Sequence, residues 1–205
     1  MRKGIVAFGG MIGGLIFLLV AFMGPWYVMN GSGTLGMEYN VGFYLTRMEA
    51  KGSFNGQDIS WSVEYAEAKE NAETLGVNIQ SFSVIDTARM LTLFAIATAL
   101  ISLVGFVGFI YQLGTLRIMK YVAGIFGLLT CVLALIPVMY VMTTGFSENS
   151  SDFWFSETAL GVTITGGPGY GWYLMIIVSI LALICAVAIL VKKVSVEDAV
   201  VQSDD

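Results

Sequence analysis

Four glutamates spaced three apart, Glu64, Glu67, Glu70 and Glu73, are the most regular set of reactive side chains in this sequence. On a helix, neighbours three and four apart share a face, so these carboxylates would form a negative stripe suited to a cation or a basic partner; a solvated helix face is the simpler account. Three consecutive aromatics, Phe153, Trp154 and Phe155, form the second set. Side chains alternate along a strand, so the three cannot all point inward, and at least one is left for a partner or a membrane surface. Beyond these the chemical inventory is short. The chain has no histidine, no cluster with metal-ligand spacing, no nucleophile placed beside a base, and no phosphate-cradling loop. It reads as a non-enzyme that needs no cofactor and no metal. Gly9, Gly10, Gly13 and Gly14 stand in an apolar run, where pairs four apart let helix backbones approach one another. Packing within one bundle is weighed there above a dimer face.

The elements that must position these residues belong to a membrane. Of the 205 residues, 57% are hydrophobic and 12% charged, outside the usual soluble range. The stretches 4–37, 90–116, 121–147 and 158–191 contain no Asp, Glu, Lys or Arg, and each exceeds the roughly 20 apolar residues a spanning helix needs. The expected spans are 4–27, 87–112, 117–143 and 170–191, with loops 28–86 and 144–169, a tail 192–205, and a single membrane domain over 1–205. The start resembles a signal peptide only in Arg2 and Lys3; its apolar core is long and lacks a small-residue cleavage site, so a retained helix is expected. Arg2, Lys3, Arg117, Lys120, Lys192 and Lys193 flank the spans on one side, while the acids crowd into the loops. The positive-inside rule therefore puts both termini in the cytoplasm and both loops outside the cell membrane. The net charge of −5 argues against a nucleic-acid partner. Cys131 and Cys185 fall within spans and cannot staple the loops. The spans offer only neutral polar groups, among them Thr92, Thr98, Ser102, Thr130 and Ser179, each expected to bond its own helix; charge-coupled transport is disfavoured.

In the long loop, alternation of Tyr39, Val41, Phe43 and Leu45 predicts a strand within 34–47, and Ile59, Trp61, Val63 and Tyr65 predict another. Turn residues at 52–56 separate them. Residues 64–75 read as a helix ended by Gly76, and Leu160, Val162 and Ile164 supply a strand from the second loop. Trp61, Phe43 and Tyr44 are expected to form the core of this small sheet rather than a recognition surface. Trp26, Tyr27, Tyr170, Trp172 and Tyr173 fall at the outer boundary, where aromatic rings favour the headgroup layer. Asn30-Gly31-Ser32 and Asn149-Ser150-Ser151 are glycosylation sequons on the expected outside.

The order of several short motifs resembles the claudins and the wider superfamily of peripheral myelin and calcium-channel gamma proteins. Pro25-Trp26 lies at the first exit, and Gly42-Phe43-Tyr44 stands where claudins carry Gly-Leu-Trp. Thr87-Ala88-Arg89-Met90-Leu91 is similar to the second-span entry. The third span resembles theirs in Val122-Ala123-Gly124 and in Pro137, and Gly169-Tyr170-Gly171-Trp172 resembles the start of the fourth. The resemblance covers about nine tenths of the chain. It implies a membrane four-helix bundle with a small extracellular antiparallel β-sheet, and a role for Trp26 in anchoring that sheet. The loop lacks the claudin cysteine pair, and Gln202-Ser203-Asp204-Asp205 lacks a PDZ-binding end. These departures fit a distant relative, prokaryotic or archaeal, better than a vertebrate junction protein.

The function expected is protein-protein contact through the extracellular sheet. The chain would act by self-association or adhesion as a homo-oligomer, or as an accessory subunit of another membrane protein. The alternative is an oligomeric or paracellular-type cation pathway lined by loop carboxylates.

Overall fold

Helix α1 (Arg2–Met23) ends where its chemistry stops. Gly24 closes the last turn by donating to the Val20 carbonyl at 2.9 Å, and Pro25, having no amide hydrogen, cannot extend it. Strand β1 (Tyr27–Gly33) follows at once, so the first helix stops at Met23 rather than at Tyr27. The remaining elements are β2 (Met37–Phe43), β3 (Arg47–Phe54), β4 (Gln57–Glu64), α2 (Tyr65–Thr74), α3 (Gln80–Ile110), α4 (Leu116–Thr144), β5 (Phe155–Ala159), β6 (Val162–Pro168) and α5 (Tyr170–Val191). They come from a computed structural model that describes residues 2–33, 37–54, 56–74, 80–112, 115–144, 153–159 and 161–191. The expected terminator Gly76, the Asn149 sequon, Leu160 and the 192–205 tail lie outside the described residues. Helices α1, α3, α4 and α5 are long and apolar enough to cross a membrane, as in an integral membrane protein. The six strands among the described residues join one antiparallel sheet in the order β4-β3-β2-β1-β6-β5.

Contacts group the chain into two compact units, one of Met1–Leu18, Leu93–Leu135 and Ile176–Asp205, the other of Leu19–Thr92 and Ile136–Met175. The first is purely helical among the described residues and is held by small and hydroxyl side chains. Ser102 donates to the Ala123 carbonyl at 2.8 Å, tying α3 to α4, and Ser179 donates to the Cys131 carbonyl at 3.0 Å, tying α5 to α4. Thr92 and Thr98 bond their own helix as expected, but Ser102 and Ser179 cross between helices. An apolar surround makes such bonds the alternative to an unpaired hydroxyl. Of the glycines expected to pack, only Gly10 meets a neighbour: a Cβ there would stand 2.6 Å from the Cys185 sulfur, whereas Gly9, Gly13 and Gly14 have nothing within 4 Å. Close approach instead uses Gly105, where a Cβ would stand 2.5 Å from the Ala123 nitrogen, and Gly127, 3.0 Å from the Ala186 Cβ.

The second unit contains the sheet and the helix ends next to it. Gly169 donates to the Trp26 carbonyl and Gly171 to the Pro25 carbonyl, both at 2.9 Å, so the exit from α1 and the entry to α5 are sewn together. Trp26 is 1% exposed, and its indole N–H donates to the Ala21 carbonyl at 2.8 Å, pairing an acceptor in the last turn of α1. Trp172 is buried and donates in the same way to the Val138 carbonyl of α4 at 3.1 Å. The loop expected to contribute two strands contributes four. The 52–56 segment is not all turn, because β3 runs through Gly52 and Ser53; the reversal needs Gly56, whose φ of 76° is left-handed.

Candidate interaction surfaces of the sheet

Residues directly opposite one another in antiparallel strands point to the same face, so the register sorts the whole sheet into two surfaces. One line across it runs Trp61, Ala50, Val41, Met29, Gly166, Phe155, and the next runs Ile59, Gly52, Tyr39, Gly31, Ile164, Glu157. The alternate line, on the opposite face, runs Ser60, Lys51, Asn40, Asn30, Thr165, Ser156, and beside it runs Asp58, Ser53, Glu38, Ser32, Thr163, Thr158. One face is apolar up to the short edge strand β5, and these two lines of the other are polar. Glycines on the apolar face are overlaid by aromatics from the neighbouring strand: the Tyr39 ring lies where a Cβ of Gly31 would go, and the Phe155 ring where one of Gly166 would go. These cross-strand pairs fill the gaps that glycine leaves in a strand.

The expected core around Trp61 is not observed. Trp61 is 48% exposed and Ile59 59% exposed, because β4 is an edge strand with a neighbour on one side only. The buried aromatic core of this unit is elsewhere, in Trp26, Tyr27, Tyr65, Phe153 and Trp172. Phe43 is half-buried and meets the Tyr27 ring edge-on at 6.1 Å. Tyr44, also half-buried, takes part in a polar cluster: its hydroxyl donates to Glu49 at 3.1 Å, and the Arg47 guanidinium sits 4.7 Å above its ring. Arg47 also donates to Glu49 at 2.7 Å. That bond holds the Glu49 carboxyl below its ordinary range and raises Arg47; burial, then the bond to Glu49, raises the Tyr44 phenol. Burial pushes Tyr27 up to about 12.

The Phe153, Trp154, Phe155 trio divides three ways. Phe153 belongs to the core rather than to a partner surface, with its ring 5.4 Å from Tyr27, 5.6 Å from Trp172 and 4.8 Å from Trp154. Phe155 is half-buried over Gly166. Trp154 is 51% exposed, the ring left over that alternation requires. The stripe of four glutamates does not form on one helix. Glu64 ends β4, opposite Arg47 in the register, and α2 begins only at Tyr65. Glu67 and Glu70 are exposed on α2, and the side chain of Glu73 lies outside the described residues. Among the described residues no group of His, Cys, Asp or Glu is placed to hold a metal ion.

No family model matches this chain, and no match to a curated protein is found. The functional surface must therefore be argued from the sheet itself. Sequence reasoning saw polar alternation on β4 and β6 but missed that it continues across the sheet, although the signal was present. Asn30 and Ser32, Glu38 and Asn40, Lys51 and Ser53, Asp58 and Ser60, and Thr163 and Thr165 each sit two apart, the spacing of one strand face.

Proposed function

We propose that this chain is a non-enzymatic four-span membrane protein that makes protein-protein contacts through its extracellular sheet, by self-association or as an accessory subunit of a membrane complex. The observation that carries this reading is strand β4. It is eight residues long, exposed at every position but Val63, and, among the described residues, has no strand paired along one side. Edge strands are usually blunted by proline, lysine, a bulge or extreme shortness. Gln57–Glu64 has neither proline nor lysine, its two charged residues, Asp58 and Glu64, stand near its ends, and its apolar side presents Ile59 and Trp61. Such an edge accepts an added strand, with backbone bonds supplying affinity and alternate side chains supplying register. The motif order shared with the claudin-type proteins points the same way.

Two copies of β4 meeting antiparallel keep their apolar faces continuous only when the symmetry axis passes through a residue position. Centred on Trp61, the pairing sets Asp58 against Glu64 twice. Centred on Ser60, it sets Ile59 against Trp61 twice and no acid against an acid. Opposite residues in such a pair lie about 4.5–5.5 Å apart at Cα, within disulfide range. Ser60→Cys in lipid nanodiscs is therefore expected to cross-link on mild oxidation, where the parent chain does not, and Trp61→Lys should abolish the product. No cross-link at positions 58, 60 or 62, together with a strictly monomeric mass in nanodiscs and no co-purifying protein, would overturn the reading.

A further inference from the structure

The polar face carries a second kind of recognition, distinct from strand addition at the β4 edge. Its lines of side chains floor an open trough of about 750 Å³, in which Asn30, Asn40, Ser53, Thr163 and Thr165 present amides and hydroxyls. The charged groups in its lining are Glu38, Lys51 and Asp58, one cation between two acids, so neither a strong anion nor a strong cation is favoured. The floor is preorganised. Asn40 donates its side-chain amide to Asn30, the Thr158 and Thr163 hydroxyls bond at 3.0 Å, and Thr165 reaches the Asn30 carbonyl at 3.5 Å.

The next line on the same face is Ser62, Glu49, Gly42, Val28, Gly167. Its two glycines let rings lie over the strands: a Cβ on Gly167 would stand 3.2 Å from the Trp154 ring, and one on Gly42 3.1 Å from the Tyr44 ring. Trp154, half exposed, thus lies over Gly167, two residues along β6 from Thr165 of the trough. Ordinary small-molecule pockets are predominantly apolar, whereas nearly half of the surface of this one is polar. Its polar groups repeat at the strand spacing of about 4.8 Å, close to the length of one pyranose unit. A sugar chain supplies what such a surface takes, with hydroxyls around the ring edge for the amides and C–H groups on the ring face for the indole. We propose that the polar face of the sheet is a saccharide-binding surface, with Asn30, Asn40 and Thr165 as the polar floor and Trp154 as the stacking platform.

The saccharide has two sources with the same chemistry. Asn30-Gly31-Ser32 is a glycosylation sequon whose asparagine is itself in the floor, so the occupant is either the chain's own N-linked glycan or a separate oligosaccharide. The test uses the full chain in lipid nanodiscs, prepared without glycoside detergents, which offer the same groups as the ligand. In the first arm, protein made in eukaryotic cells is treated with N-glycosidase under native conditions. A mobility shift lost in Ser32→Ala, with release accelerated about tenfold by Asn40→Ala or Trp154→Ala, assigns the chain's own glycan. In the second arm, unglycosylated protein is titrated with cellohexaose and with N-acetylchitohexaose. Saturable binding weakened about tenfold by Trp154→Ala and by the isosteric Thr165→Val, and unchanged by Trp61→Ala on the opposite face, assigns a separate saccharide. The proposal is overturned if neither arm is positive, or if release and binding are indifferent to the polar-face substitutions. Cross-linking through Ser60→Cys is unaffected by either result, so failure here is distinguishable from failure of the protein-contact reading.

Discussion

Tyr65 carries a phenol that is buried to 6% exposure with no hydrogen-bond partner for its hydroxyl among the described residues. Its ring packs edge-on against Phe82 at 5.9 Å, and its amide donates to the Thr46 carbonyl at 3.1 Å, so the ring and the backbone hold the residue while the oxygen contributes nothing. An unpaired buried hydroxyl costs about 1–3 kcal/mol. Tyr65→Phe is therefore expected to stabilise the sheet unit by about 1 kcal/mol, measured as slower proteolysis of the 28–86 loop. Trp26 is the opposite case, since both its area and its N–H are used; Trp26→Ala should destabilise the same unit by about 3–5 kcal/mol. The Glu49 carboxyl, lowered by its bond from Arg47, gives a pH dependence with a definite sign. Because its folded pKa lies below the unfolded one, its contribution is complete above the ordinary carboxylate range and is lost as pH falls through the lowered value. Glu49→Gln should flatten the acid limb of the loop's stability curve; an unchanged curve would show that the pair is fully screened. The importance of Trp26 was legible only through the motif resemblance, since the expected span ran past Pro25 to Tyr27 while the helix ends at Met23. The exposure of Trp61 was not, because alternation tells which residues share a face but not which strand is outermost.

At the scale of elements, glycines decide which helices touch, and their effects separate cleanly. Gly105 and Gly9 both lie inside helices, where replacement by alanine is intrinsically favourable by about 1 kcal/mol. Gly9 has nothing within 4 Å of a Cβ, so Gly9→Ala should realise that gain. At Gly105 the new methyl would stand 2.5 Å from the Ala123 nitrogen and 2.9 Å from its Cα, and backbone cannot yield as a flexible side chain does. Gly105→Ala should push α3 from α4, strain the Ser102 to Ala123 hydrogen bond at 2.8 Å, and cost about 1–3 kcal/mol, read from unfolding in mixed detergent micelles. If both alanines behave alike, close α3–α4 approach is not what holds the helical unit. Spacing alone pointed to Gly9 and Gly13, since four-residue intervals reveal a small stripe but not whether a partner lies across it. The strands show the same limit. β1 was hidden because Asn30, Gly31 and Gly33 are poor strand formers, and the Tyr39 ring lying over Gly31 fills the gap that glycine leaves in the middle of a sheet.

For the whole molecule, the order of elements and the order of charges make one joint prediction. The chain enters the sheet unit after α1, leaves it before α3, returns after α4 and leaves it again before α5. The helix ends adjoining the sheet are thus at Met23, Gln80, Thr144 and Tyr170, and the opposite ends are at Arg2, Ile110, Leu116 and Val191. The cations Arg2, Lys3, Arg117, Lys120, Lys192 and Lys193 all fall at or next to the second set of ends. Short basic segments resist export, so those ends are expected in the cytoplasm and the entire sheet outside. In intact cells, Ser60→Cys and Ser156→Cys should react with a membrane-impermeant maleimide, while Lys120→Cys should react only after permeabilisation. The parent chain, whose cysteines Cys131 and Cys185 lie within α4 and α5, supplies the unlabelled control. Labelling of Lys120→Cys in intact cells would invert the topology. It would also remove extracellular sugars as a partner, since a sheet in the cytoplasm does not meet them, whereas pairing of β4 between copies in one membrane is indifferent to the side.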